Sequence, residues 1–177
     1  MKLIKLLVFL LFYPLSNLEA YEVKILAMVD NHIITNIDLI NEIKTIEIVN
    51  NIKLTSKENP LILNNMIDDK IKYIETQNEL TDFDQNKVNS KYNTIINKKS
   101  NLMPEIKKNI KYKLVVSSKW NNLIIKKFRG KLDINPNEID QIIKNRKSNN
   151  TERGDIIIRE REKKLNVISK TYFNEVK

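Results

Sequence analysis

Cysteine is absent, and there are only two glycines in 177 residues. Without thiols the chain forms no disulfide and offers no cysteine nucleophile or thiolate metal ligand, so its stability has to rest on burial and helix packing. Gly130 and Gly154 alone cannot build a phosphate-cradling loop. With four prolines beside them, turn-forming residues are too scarce for a sandwich or barrel. His32 is the single histidine and stands beside an expected turn. It has no second His or Cys to share a metal with and no partners for a Ser/His or Cys/His nucleophile. We therefore expect no metal, no cofactor and no catalytic constellation. The carboxylate pairs Asp68-Asp69 and Glu160/Glu162 lie among Lys and Arg on expected helix faces and read as surface charge.

What is present is Ile, Leu, Lys, Glu and Asn in long uninterrupted stretches, 41% hydrophobic and 30% charged. That balance in a chain of this length describes one domain, mainly α. The net charge is +9, of which Lys2, Lys5 and Glu19 carry a net +1, leaving +8 on the rest. Basic residues are spread along the chain, which suits a solvated basic surface better than a dedicated polyanion site.

Residues 1–20 carry Lys2 and Lys5 ahead of an apolar run from Leu6 to Tyr13, with Ala20 as a small residue before Tyr21. This is the pattern of a signal peptide, and the run is shorter than the roughly 20 residues a spanning helix needs. The expected location is the periplasm, with no stable membrane insertion after cleavage.

The stretch from Val23 to Leu39 organises the rest of the chain. Val23, Ile25, Ala27 and Val29 recur at period two, Asp30-Asn31 suits a two-residue turn, and Ile33-Ile34 supplies a return strand. Thr35 with Asp38 three residues on opens a helix carrying Ile37, Ile40, Ile43 and Ile46. The expected fold is thus helical with one short N-terminal β-hairpin. The segment ILAMVDNHIITNIDLINEI resembles the opening of the SurA-type periplasmic chaperones, and the resemblance runs to about Ile143, resuming weakly in the final helix. It implies an N-terminal chaperone domain over residues 21–146 and a C-terminal helix that packs back on it. Members of that family carry parvulin-type prolyl isomerase domains between these parts, compact units with a His-lined proline pocket. Here a polar linker, residues 147–154, stands in their place, so we expect a non-enzymatic chain.

Four further helices are expected before the linker. Pro60 falls in the first turn of one carrying Leu63, Met66, Ile67, Ile71 and Ile74, with Asp68, Asp69, Lys70 and Lys72 largely opposite. One from about Phe83 to Lys98 turns Val88, Tyr92 and Ile95/Ile96 inward. A long one from Pro104 to Phe128 carries Ile106, Ile110, Leu114, Trp120, Ile124 and Phe128, with Gly130 as its C-terminal cap. Asn135-Pro136-Asn137-Glu138 starts a short one bearing Ile139, Ile142 and Ile143. The final helix, residues 155–177, repeats Leu165, Ile168, Tyr172 and Val176, and its expected partner is the helix of Trp120.

The function this implies is a holdase: an apolar trough binding unfolded outer-membrane proteins, with Met66, Met103, Tyr112, Trp120 and Phe128 as expected client-binding residues. Two alternatives stay open, a residual prolyl isomerase and a basic envelope protein binding polyanions. Nucleic acid is not an expected partner, since an exported chain rarely meets it.

Overall fold

The computed structural model describes residues 22–99, 101–146 and 153–177. The expected signal peptide, residues 1–20, and residues 147–152 of the expected linker lie outside them. The described residues form strands β1 (Ile25–Val29) and β2 (His32–Thr35) and six helices: α1 (Asn36–Asn50), α2 (Asn59–Asn78), α3 (Gln85–Asn97), α4 (Pro104–Lys127), α5 (Pro136–Arg146) and α6 (Arg153–Val176). The protein is mainly α with one antiparallel hairpin, and the local chemistry of the sequence explains most of the boundaries.

Asp30 takes the left-handed conformation (φ 50°) that a two-residue hairpin requires, and Val29 pairs with His32 across it. At the other end Thr35 and Asp38 form a reciprocal capping box. Thr35 Oγ1 accepts from the Asp38 amide at 3.2 Å, and Asp38 Oδ2 accepts from the Thr35 amide at 2.8 Å. The cap sits at the junction of β2 and α1, so it sets the angle between hairpin and helix. Thr35→Ala is expected to cost about 1 kcal/mol, visible as a lower urea midpoint; an unchanged midpoint would mean that hairpin packing alone holds the junction.

Pro60, Pro104 and Pro136 each stand in the first turn of a helix, where the missing N–H costs nothing. Asp84 caps α3, its Oδ1 accepting from the Lys87 amide at 2.9 Å. Gly130 is not a left-handed cap, since positive φ among the described residues occurs only at Asp30, Asn51, Leu80 and Asn101. The chain leaves α4 through a 3₁₀ turn, Arg129–Lys131, in which the Lys131 amide bonds the Phe128 carbonyl at 2.9 Å. This tightened turn satisfies the end of the helix without a glycine cap.

At 24 residues α4 is about 36 Å long, and it touches α1, α2, α3 and α6. Its length is divided between two apolar clusters. Near its start, Leu102, Ile106 and Ile110 pack with Ile48, Val49, Tyr92 and Ile95/Ile96. Near its end, Trp120, Leu123 and Ile124 pack with Tyr172, Leu165, Ile168, Phe173 and Val176 of α6. Polar contacts bind α6 further. The Tyr172 hydroxyl donates to Glu75 and accepts from Lys127 Nζ at 2.7 Å, Lys127 pairs with Glu79 at 2.7 Å, and Lys177 pairs with Asp68 at 2.7 Å. The buried residue in the first turn of α6 is Ile156, whereas Ile158 is well exposed.

Two helix faces differ from their sequence patterns. In α1 the buried residues are Glu42 and Thr45, while Ile37, Ile43 and Ile46 are half-buried and Ile40 is exposed. That helix is apolar nearly all round, so spacing does not select a face; the polar partners on α4 do. In α2, Asp69 and Lys70 do not stand opposite the packed face but are half-buried towards α1 and α4.

Candidate functional site

The hairpin departs from simple alternation in a way that creates its surface. Ala27 pairs with Ile34 and Ile25 with Thr35, so β1 holds one residue more than β2 between these pairs. This is a β-bulge at Leu26. An extra residue reverses the facing of everything beyond it, so Ile25 leaves the face of Ala27 and Val29 and joins that of Met28 and Ile33. The exposures agree: Ile34 is 3% exposed on the inner face, whereas Ile25, Met28 and Ile33 are 65%, 70% and 51% exposed on the outer one. Val23, just before the strand, is also exposed.

This outward set of aliphatic side chains is held rigidly. Asn36, the first residue of α1, accepts from the Lys24 amide through Oδ1 at 2.9 Å and donates to the Glu22 carbonyl through Nδ2 at 2.9 Å. Its own amide donates to the Lys24 carbonyl at 2.9 Å. One side chain therefore ties the approach to β1 onto the helix. With only two strands, each strand keeps one edge unpaired within the described sheet.

Beside the hairpin lies a pocket of about 340 Å³ enclosed by β2, α1, α2 and α4. Ile33, Ile34, Met66 and Tyr112 form its apolar wall, and Asp38, Lys70, Glu105 and Lys108 are among its polar lining. Its base is a charge cluster. Lys113 Nζ lies 2.5 Å from Glu42 Oε1 and 3.1 Å from Asp69 Oδ2, with Glu42 only 3% exposed. Asn109 Nδ2 donates to Glu42 Oε2 at 2.8 Å and to Thr45 Oγ1 at 3.0 Å, and the Thr45 hydroxyl donates to the Asn41 carbonyl at 2.7 Å. Burial works to lower the Lys113 pKa, but the carboxylates of Asp69 and Glu42 outweigh it and hold the ammonium above its ordinary range.

An aromatic ladder joins this base to the hairpin. His32 meets Tyr73 edge to face at 5.7 Å, and Tyr73 lies 5.8 Å from Tyr112. Lys70 Nζ sits 5.4 Å and 5.2 Å from the two tyrosine ring centres. Burial lowers the Lys70 pKa, and Asp38 opposes this. Burial, then the charges of Asp69, Tyr73 and Glu42, push the Tyr112 hydroxyl far above the ordinary phenol range, so it stays protonated. That hydroxyl is buried without a hydrogen-bond partner among the described residues.

The five expected client-binding residues divide between surface and core. Met66 and Tyr112 line the pocket, and Met103, 44% exposed, precedes α4 outside it. Trp120 and Phe128 belong to the core. Trp120 is 4% exposed, stacks on Tyr172 at 5.7 Å and donates through Nε1 to Ser169 Oγ at 2.8 Å. Phe128 packs edge-on against Tyr172 at 5.5 Å. α6 covers this part of α4, so no open trough runs along it. Sequence reasoning did not name Met28, although alternation against Ala27 and Val29 already places it outward, and it missed the outward turn of Ile25, since nothing local marks Leu26 as a bulge. It also read Asp69 as surface charge, because its partner Lys113 is 44 residues away.

No family model, no curated protein and no solved structure matches the chain. Among the described residues no three of His, Asp and Glu converge as metal ligands, and no helix is long and apolar enough to cross a membrane.

Proposed function

We propose that the chain is a periplasmic holdase of the SurA N-terminal type, binding extended segments of unfolded outer-membrane proteins without turnover. The observation that carries this reading is the outward aliphatic face of Ile25, Met28 and Ile33 on a sheet with unpaired edges, beside an open pocket. A client segment pairs its backbone with a hairpin edge, rests apolar side chains on the outer face and directs one into the pocket. Each large side chain covered on the hairpin contributes at most about 1.5–3 kcal/mol, and ordering the client returns much of that. The result is weak, reversible cover, which suits a protein that must release what it holds. Met28 and Met66 add adaptable side chains to the two surfaces.

A light-scattering assay tests this. The protein at several-fold excess over an unfolded β-barrel protein is expected to delay aggregation, and Met28→Asp/Ile33→Asp to abolish most of the delay. Raised salt should leave the effect intact, because the contact is apolar, whereas polyanion binding would weaken steeply. Absence of any delay by the unaltered protein would sink the proposal.

A further inference from the structure

Exposed aliphatic side chains gather on the outer face of the hairpin, where Val23, Ile25, Met28 and Ile33 are each more than half exposed. No charged residue interrupts β1 from Ile25 to Val29. The other exposed aliphatic residues, among them Leu61, Leu80 and Val167, come from separate stretches of the chain. An apolar face of this kind, on a sheet with unpaired edges, is a place for a further segment to lie.

The nearest apolar segment in the chain is the run from Leu6 to Tyr13, which carries no charge. While it remains attached, it has the same need of cover from water as the hairpin face. Its approach to that face is fixed. Asn36 holds the Glu22 carbonyl and the Lys24 amide, so the chain enters β1 beside Val23, the first exposed residue of the face. Eight residues, 14–21, separate the run from Glu22 and span up to about 27 Å, against about 17 Å for the five residues of β1. Pro14, Ser16 and Asn17 in this tether are residues that favour chain reversal. A run returning along β1 sets its Lys5 end towards the hairpin turn, where Asp30 is exposed, while Glu22 and Lys24 at the other end neutralise each other at 3.1 Å.

We propose that in the uncleaved chain residues 6–13 lie on the outer hairpin face and close it, and that removal of residues 1–20 opens it to clients. The consequence rests on the holdase reading, which concerns the chain after cleavage; the contact itself does not. A short tether gives an effective concentration on the order of millimolar, so a client or second copy at micromolar concentration is excluded unless it binds about a thousandfold more tightly. Cleavage removes that advantage.

The chain has no cysteine, so introduced pairs report proximity without background. Full-length Leu10→Cys/Met28→Cys, produced without export and kept uncleaved, is oxidised mildly at high dilution and mapped by mass spectrometry. An intramolecular disulfide is expected to form about tenfold or more faster than in Leu10→Cys/Ile158→Cys, whose second site is exposed on α6. Adding Leu7→Asp/Leu11→Asp to the first pair should abolish the preference. The same two substitutions in the otherwise unaltered uncleaved chain should let it delay aggregation of the unfolded β-barrel protein, as the cleaved chain does and the uncleaved chain does not. Equal rates for the two pairs, a disulfide between two chains instead of within one, or equal delay by cleaved and uncleaved chains overturns the proposal. A selective disulfide with no delay by either form upholds the contact and counts against the holding function alone.

Discussion

A chain ending at Asn150 is expected to melt about 10 °C or more below the intact protein. The truncation removes α6, which covers Trp120, Leu123 and Ile124 at the C-terminal end of α4. Losing one large aromatic side chain from a packed core costs about 3–5 kcal/mol, and α6 brings both Tyr172 and Phe173 against Trp120. Each kcal/mol is worth about 2–4 °C in a chain of this size. Leu123 and Ile124, both 0% exposed in the intact protein, would face water, and Trp120 would lose its Ser169 acceptor. Circular dichroism melts of the two chains decide the matter. Cooperative melting at the same temperature would make α6 an appendage with no closing role.

The second large effect is centred on Lys113. Removing one partner of a buried ion pair costs about 3–5 kcal/mol, because the remaining charge is left without compensation. Since the Lys113 side chain keeps 34% exposure while that of Glu42 keeps 4%, solvent screening lowers the expected cost of Lys113→Ala to about 2–4 kcal/mol. Among the described residues Glu42 would then retain only the Asn109 amide as a donor. Replacing Glu42 and Lys113 together, Glu42→Leu with Lys113→Met, is expected to recover part of that loss, since the most buried charge is then gone while half-buried Asp69 still lacks its ammonium partner.

The pH dependence of the Lys113 contribution has a definite sign. The folded-state pKa is raised, so the stabilisation is complete below the unfolded lysine value of about 10.4 and is lost as pH climbs through the higher folded value. Urea midpoints of the intact protein and of Lys113→Ala, measured from neutral to strongly alkaline pH, should therefore converge only at the alkaline end. A loss under about 0.5 kcal/mol for Lys113→Ala, the range of ordinary surface changes, would show that the cluster is a solvated surface pair.

The sequence by itself determined the elements and most of their punctuation, the expected Gly130 cap being a 3₁₀ turn instead. The Asp30-Asn31 turn, the Thr35 box and the prolines at 60, 104 and 136 each act on backbone groups within four residues, so their effect does not depend on the rest of the chain. The amphipathic spacing of Leu165, Ile168, Tyr172 and Val176 likewise showed that the last helix needs an apolar partner. Only the tertiary structure decided which faces are covered. Trp120 and Phe128 have the composition of a binding surface, and the packing of α6 makes them core. Glu42 reads as solvent-facing until Asn109 and Lys113, 67 and 71 residues further on, arrive beside it. The place of Ile25 on the outward face of the hairpin depends on a single unpaired residue at Leu26, which pairing register alone reveals. In each case the deciding partner is distant in sequence, and burial is a property of the assembled surfaces, which periodicity within one helix or strand does not contain.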